Sequence, residues 1–328
     1  RVTRTGTTYD LHISHKDKVS GKKYTLTNFD EIKPNINNIF FIESRCGLDE
    51  EFKKHSAEQG IVLNARQICA IESTARMNPK RPVYILHTCP LDHNFYEKSP
   101  KYFQELMSYP NVHIVFLKMS DMFMRTIVEE LYFGHTFEQS AYPVAHISDV
   151  MRILTLWRFG GTYMDIDVVS IRSLDDLGVN FAGWQDEYSV ATGVLNFADS
   201  GFGHSFLTKY LEHLKHNYDP HNWSTNGPLL FTKLLNDICH IYTVKSKSKD
   251  FTAYDIPIFY PIYYNRYQLF FEEDKSDYTL NELNQTYIVH LWNKMSSNTV
   301  VNVGSKQAYA ILADKYCPKA YHNCGSTF

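Results

Sequence analysis

The chain is 328 residues long with a net charge of −3, 44% hydrophobic and 21% charged residues, which suits one large α/β domain or two small ones. Near-neutral charge excludes the electrostatic footprint of nucleic-acid binding, and no apolar run is long enough to span a bilayer. Aromatic residues reach 15%, with 23 Tyr and 21 Phe; their faces suit sugar rings, although most belong to a core.

Residues 1–37 are polar and basic at intervals (Arg1, Arg4, Lys16, Lys18, Lys22, Lys23) without a sustained period, which predicts a stem or an arm on the surface. The first apolar run, 38–44, reads as a buried strand. A helix over 64–77 ends at Pro79. Strands follow at 82–88 and 112–117, with a helical stretch near 102–108 between them. Residues 121–133 read as an amphipathic helix. Strand and helix alternate at βαβ spacing, which predicts a largely parallel sheet covered on both faces. Ligands of such sheets sit beyond the carboxyl ends of the strands, where Glu43 and Ser44 fall.

The segment 148–170 organises the rest. Ser148 can cap a helix start. Val150, Ile153, Leu154 and Trp157 form one apolar helical stripe, and Gly160-Gly161 stops the helix. Tyr163–Val169 then reads as a strand. Asp165 and Asp167 share one side of it, about 7 Å apart at Cα, while Met164, Ile166 and Val168 face a core. Paired carboxylates on a buried strand are costly unless solvent, a basic partner or a divalent cation compensates them. Between Ile153 and Ile171 the only basic residue is Arg158, which favours the cation.

After Ser170 the alternation breaks. Residues 181–184 and 189–197 read as short strands, 202–217 and 229–238 as helices, 245–250 as a charged loop, 286–292 as a strand and 305–316 as a final helix. No repeat or low-complexity segment marks a second domain. The chain therefore reads as one domain over 38–328, with a nucleotide-sugar half at 38–170 and an acceptor half at 171–328. Phosphate-loop, dinucleotide, zincin and nucleophile-elbow motifs are missing.

Six cysteines occur, Cys46, Cys69, Cys89, Cys239, Cys317 and Cys324, with no C-x-x-C pair. With the sequons Asn222-Trp223-Ser224 and Asn284-Gln285-Thr286 they point to a secretory lumen. Proximity suggests a Cys317–Cys324 bridge and a Cys46–Cys69 bridge. The first residue is Arg1 rather than Met, as in a processed or truncated piece.

Five segments carry a resemblance. Ser148–Val169, with helix, Gly-Gly and Tyr-x-Asp-x-Asp, resembles the sugar-binding region of the DxD glycosyltransferases, among them yeast mannosyltransferases and glucosylating clostridial toxins. Residues 38–44, 69–76 and 289–296 resemble the α-1,4-glycosyltransferase family, and 226–232 looks like its C-terminal signature. The resemblance covers about Asn38 to Ala310. It implies a GT-A fold: a Rossmann-like nucleotide-binding half and a mixed central sheet flanked by helices. It also implies a retaining hexosyltransferase that uses a UDP-sugar and Mn²⁺, or Mg²⁺ in its place.

Roles follow from the matched positions. Asp165, Asp167 and His290 would hold the metal, which would neutralise the diphosphate. Lys294 and Ser296 would meet the diphosphate. Asp149 and Arg152, three apart on one helical face, would meet the donor sugar; their plain alternative is an i,i+3 ion pair. Ser44 and Tyr163 would contact the nucleoside. A double displacement needs a carboxylate nucleophile, for which Asp186 and Glu187 are the candidates; front-face attack through an ion pair needs none, and is preferred. Trp223, Asn226 and Gly227, with the aromatic loop 259–271, form the expected acceptor side.

The resulting expectation is transfer of galactose or N-acetylgalactosamine in α-1,4 linkage to a glycolipid such as lactosylceramide. The domain would lie in the Golgi lumen as the soluble part of a type II membrane protein, anchored by a segment outside this sequence. The rivals are an inactive lumenal sugar-binding module, a transferase of N-acetylglucosamine to glycoprotein glycans, and a metal-assisted hydrolase. Retention of Asp149, Arg152, Asp165, Asp167, His290 and Lys294 together favours the enzyme.

Overall fold

The computed structural model describes residues 25–47, 61–91 and 94–328. In chain order the principal elements are β1 (Thr25–Leu26), β2 (Ile39–Glu43), α1 (Ala65–Met77), β3 (Val83–His87), α2 (Lys101–Leu106), β4 (Val112–Phe116), α3 (Pro143–Phe159), β5 (Gly161–Met164), β6 (Val168–Ser170), β7 (Phe181–Trp184), β8 (Val190–Phe197), α4 (Gly201–Asn217), α5 (Leu230–Cys239), β9 (Thr252–Tyr254), β10 (Ile288–His290) and α6 (Ala308–Tyr316). Eight strands form the main sheet in the order β1-β4-β3-β2-β5-β8-β7-β9, and β10 and β6 form a second, antiparallel pair. From β1 to β5 all neighbours are parallel, and β8 runs against both β5 and β7. This is the mixed sheet between helical layers expected of a GT-A fold.

Alternation along each strand builds a core on both faces. Ile39 and Phe41 of β2 join one cluster with Ile68 and Ile71 of α1, while Phe40 and Ile42 join the other with Val150 and Ile153 of α3. Helix α1 starts as its sequence indicates: Asn64 accepts from the Gln67 amide, and Gln67 returns the contact to the Asn64 amide.

Helix α3 begins earlier than the Ser148 cap implied. Pro143 occupies its first turn, where the missing amide costs nothing, and the Ser148 hydroxyl instead accepts from Arg152 Nη2 at 3.2 Å. Its end is as read: Gly160 has φ 60° and Gly161 φ 97°, and a Cβ on Gly161 would strike the Asn38 carbonyl. The single strand expected over 163–169 is two strands in different sheets. Asp165 N still bonds Gly193 O of β8 at 2.8 Å, after which the chain turns and β6 pairs with β10. The helix expected over 121–133 is also two pieces, Met119–Phe123 and Glu129–Phe133, split where Arg125 takes a left-handed φ of 58°. Met122, Phe123, Val128 and Leu131 still reach one core. A further helix, Pro318–His322, follows α6.

The disulfides correct the proximity reading. Cys46 pairs with Cys89 and Cys69 with Cys317, while Cys239 and Cys324 are free. Cys46 and Cys89 follow the carboxyl ends of the adjacent parallel strands β2 and β3, so the topology brings them to one edge. Cys69 on α1 meets the chain just after α6. Residues 1–24 of the expected arm lie outside the described residues; within 25–37, β1 pairs with β4 at the sheet edge.

Candidate active site

The carboxyl ends of β2 and β5 open on one cleft of about 1190 Å³. Glu43 and Ser44 reach it from β2, Asp149 and Arg152 from α3, and Tyr163, Asp165 and Asp167 from β5 and the turn after it. Gln185, Gly193, Trp223, Tyr260, Tyr263, His290, Trp292 and Lys294 complete much of the lining.

Arg152 holds the donor side together. It is 8% exposed and lies 3.3 Å from Asp149 Oδ1 and 3.1 Å from Asp165 Oδ1. It donates to Thr192 O at 2.9 Å and sits over the Tyr163 ring at 4.8 Å. Tyr163 OH donates to Asp165 Oδ1 at 2.7 Å, so Tyr163 positions the first aspartate as well as lining the cleft.

The aspartates meet a histidine from the far end of the sequence. His290 Nε2 lies 3.5 Å from Asp165 Oδ2 and 3.3 Å from Asp167 Oδ1. Ligand atoms of the three residues all fall within 4.8 Å of one another. Because β10 pairs with β6, His290 stands opposite Val168, beside the aspartate turn. Asp167 Oδ2 accepts from the Asn293 amide at 2.7 Å. Trp292, at a left-handed φ of 55°, donates its amide to His290 Nδ1 at 3.2 Å. That contact leaves the imidazole proton on Nε2, facing both carboxylates.

Burial disfavours charge on Asp165, yet Arg152, His290 and Tyr163 outweigh it and hold its pKa at about 2. Burial raises the Asp167 pKa, and the Asp165 charge adds to the rise. Burial would lower His290, but the Asp167 and Asp165 charges raise it instead. Burial raises Asp149 to about 6 against the pull of Arg152.

This donor set fits a divalent cation: two carboxylates and one imidazole suit Mn²⁺ or Mg²⁺-class ions with further oxygen ligands. Gly193 supplies the space, since a Cβ there would lie 2.8 Å from Asp165 Oδ2 and 3.3 Å from His290 Nε2. A cation would take the position between the aspartates that the Nε2–H now fills.

The remaining expected residues divide. Ser44, Trp223 and Lys294 line the cleft, with Lys294 Nζ 3.2 Å from the centroid of the Trp223 ring. Ser296 does not line it: its hydroxyl donates to Leu291 O at 2.8 Å, and Ser297 takes the place at the wall. Asn226 and Gly227 are buried beneath the wall. Asn226 bonds both the Asp219 amide and the Asp219 carbonyl, and Gly227 lets its turn close on Asp149, where a Cβ would come within 2.7 Å of Oδ2. Asp186 and Glu187 fall in the β7–β8 turn outside the lining. Asp186 Oδ1 accepts from the Tyr188 and Ser189 amides, each at 2.8 Å, and Glu187 is exposed.

Sequence reasoning missed Tyr142, Gln185 and Gly193. Only Gly193 carried a signal, as a glycine inside a strand where something approaches closely. Of the aromatic loop, Tyr260, Tyr263 and Tyr264 reach the cleft, whereas Phe259, Ile262 and Phe270 are core.

Comparison with known proteins yields two family matches. The Alpha 1,4-glycosyltransferase conserved region matches residues 199–324, and the Glycosyltransferase sugar-binding region containing DXD motif matches residues 64–184. Lactosylceramide 4-alpha-galactosyltransferase of Rattus norvegicus is 30% identical over 87% of this chain and 75% of its own length. The same enzyme of Mus musculus is 31% identical over 77% and 70%. Alpha-1,4-N-acetylglucosaminyltransferase of Homo sapiens is 28% identical over 78% and 75%.

Proposed function

The chain belongs to the α-1,4-glycosyltransferase family with a DXD sugar-binding region, and from that premise we propose that it transfers galactose or N-acetylgalactosamine from a UDP-sugar to a glycolipid head such as lactosylceramide, in α-1,4 linkage and with retention. The observation that carries this reading is the convergence of Asp165, Asp167 and His290 in the cleft that also holds Asp149, Arg152 and Lys294. All six residues of the expected set are present together, as a transferase requires and a decayed binding module does not.

A cation held by Asp165, Asp167 and His290, Mn²⁺ in our reading, would supply the charge that stabilises the departing diphosphate. Lys294 provides a point charge for the same diphosphate. Asp149 and Arg152 orient the donor sugar, with Arg152 fixed by Thr192 and Tyr163. Among the described residues the carboxylates at the cleft are Glu43, Asp149, Asp165 and Asp167; Glu43 pairs with Arg45, Asp149 and Asp165 are engaged by Arg152, and Asp167 by the Asn293 amide. Asp186 and Glu187, off the lining, give no support to a covalent intermediate. We therefore favour front-face attack: the bond from the anomeric carbon to the phosphate oxygen breaks, the acceptor oxygen bonds the same face, and the acceptor proton passes to the leaving phosphate.

A lumenal setting is part of the proposal. It is supported by the two disulfides and by exposure of Asn222 and Asn284 in the sequons. Among the described residues no helix is long and apolar enough to cross a membrane.

The test is incubation with UDP-galactose, UDP-N-acetylgalactosamine or UDP-N-acetylglucosamine, Mn²⁺ and lactosylated acceptors. Acceptor-dependent UDP release is expected. Absence of release with every pair refutes the enzyme reading, and release indifferent to acceptor indicates hydrolysis. Asp167→Asn should abolish transfer with an unchanged circular-dichroism spectrum; full turnover in that variant refutes the metal role.

A further inference from the structure

Among the described residues twelve large apolar or aromatic side chains are exposed, and five of them gather at the cleft mouth. Tyr142, Trp223 and Tyr264 line the opening and are 38%, 43% and 44% exposed. Tyr188 and Leu229, 82% and 50% exposed, stand beside it without lining it. Leu229 follows Pro228, a lining residue. Thr232 Oγ1 donates to Pro228 O at 2.8 Å and accepts from the Val190 amide at 3.0 Å, so the Leu229 turn is tied to the strand that follows Tyr188. On its other side the Tyr188 turn meets the cleft wall, where Tyr263 OH donates to Asp186 Oδ2 at 3.2 Å. The five residues therefore lie on connected segments that border one opening, and the exposure of Tyr188 and Leu229, which do not line the cleft, is not accounted for by acceptor binding inside it.

We infer that this rim docks on the interfacial region of a zwitterionic lipid bilayer and presents the cleft to glycolipid heads. The inference rests on the proposed glycolipid acceptor. A lactosyl head is only two sugars long, so the reacting hydroxyl stays near the bilayer surface and the cleft mouth must come down to it. The rim is what then meets the lipid. Three Tyr, a Trp and a Leu are the composition that suits this layer, because the rings bury an apolar body while the hydroxyl or indole stays hydrated. Charge selects the lipid class. Exposed Glu187 is at the rim, Lys294 is drawn against Trp223, and the chain carries a net −3. Among the described residues at the cleft, Arg45 is paired with Glu43 and Arg152 with Asp149 and Asp165, so no cluster of unpaired basic side chains there favours an anionic surface.

The experiment compares the full chain with the double variant Tyr188→Ser, Leu229→Ser. Two acceptors are used: lactosylceramide in phosphatidylcholine vesicles, and free lactose. The variant should turn over free lactose within about twofold of the parent and vesicle-borne acceptor about tenfold more slowly, as expected from losing two partly inserted side chains. Equal effects on both acceptors, or unchanged vesicle turnover, overturn the inference. If the parent transfers to neither acceptor, the functional reading fails while docking is still read by co-sedimentation with plain phosphatidylcholine vesicles. Binding lost in the variant supports docking, and no binding by the parent overturns it. Adding phosphatidylserine should leave binding unchanged; binding only to anionic vesicles, or a dimer of the free protein that the variant abolishes, overturns it as well.

Discussion

Burying Arg152 between Asp149 and Asp165 places three charged groups in one low-dielectric corner, where a single guanidinium cannot compensate both acids equally. Asp165 also has His290 and Tyr163 and stays ionised, with a pKa of about 2. Asp149 is dominated by burial, with Arg152 opposing it, and rises from 3.8 to about 6. A folded pKa above the unfolded value means that the folded chain binds the proton more tightly. Stability is then highest below about pH 4 for this group and falls as pH rises to about 6, by about 3 kcal/mol in total. Asp165 has the opposite sign, but its titration lies below that window. Asp167 and His290 contribute equally to parent and variant if only Asp149 is changed. Asp149→Asn, neutral at every pH, should therefore lack that part of the slope. Urea unfolding of metal-free protein between pH 4 and 7 measures it, and identical slopes in parent and variant would contradict the assignment.

Elements set which chemistry was legible in the sequence. Period and punctuation revealed α1, α4 and the parallel strands β2, β3 and β4, because each apolar residue serves its own local helix or strand. The aspartate pair was legible for the same reason, and its family resemblance led to His290. What failed depended on how elements meet. Cys46–Cys89 requires knowing that β2 and β3 are neighbours, and Cys69–Cys317 that α1 lies against the chain end. Ser296 was displaced by one residue because the left-handed Trp292 starts a helical turn that points Ser296 inward and leaves Ser297 at the cleft. Asp186 sits in the right connection, but the turn amides of Tyr188 and Ser189 claim its carboxylate. The pairing is open to direct measurement. Peptide mapping without reduction should recover Cys46–Cys89 and Cys69–Cys317 and label only Cys239 and Cys324. A Cys317–Cys324 linkage would refute it. The double change Cys69→Ser, Cys317→Ser opens a separation of 248 residues and should lower unfolding stability by about 2–5 kcal/mol.

Across the whole molecule the site joins parts that the sequence keeps far apart. Asp165 and Asp167 occupy the link between the main sheet and β6, and His290 ends β10, which reaches the main body here through its pairing with β6. The two family matches, 64–184 and 199–324, thus each contribute candidate ligands to one cluster. In the metal-free chain the His290 Nε2–H stands between Asp165 Oδ2 and Asp167 Oδ1, while Arg152 lies on Asp165 Oδ1, and burial disfavours charge on both aspartates and on His290. A divalent ion bound by Asp165, Asp167 and His290 would supply a stronger compensation and would need β6 and β10 paired, so on the proposed reading it stabilises the folded state by mass action. At a free Mn²⁺ concentration of about 100 times Kd the gain is about 2.7 kcal/mol. Because binding displaces the Nε2 proton, the gain should shrink as pH falls below neutrality. Thermal melts with Mn²⁺ or with chelator measure it, and calorimetric titration gives the Kd. His290→Ala and Asp167→Asn should each melt independently of Mn²⁺ while remaining folded without it. A parent melt that ignores saturating Mn²⁺, or a His290→Ala melt that rises as much as the parent's, removes His290 from the metal set.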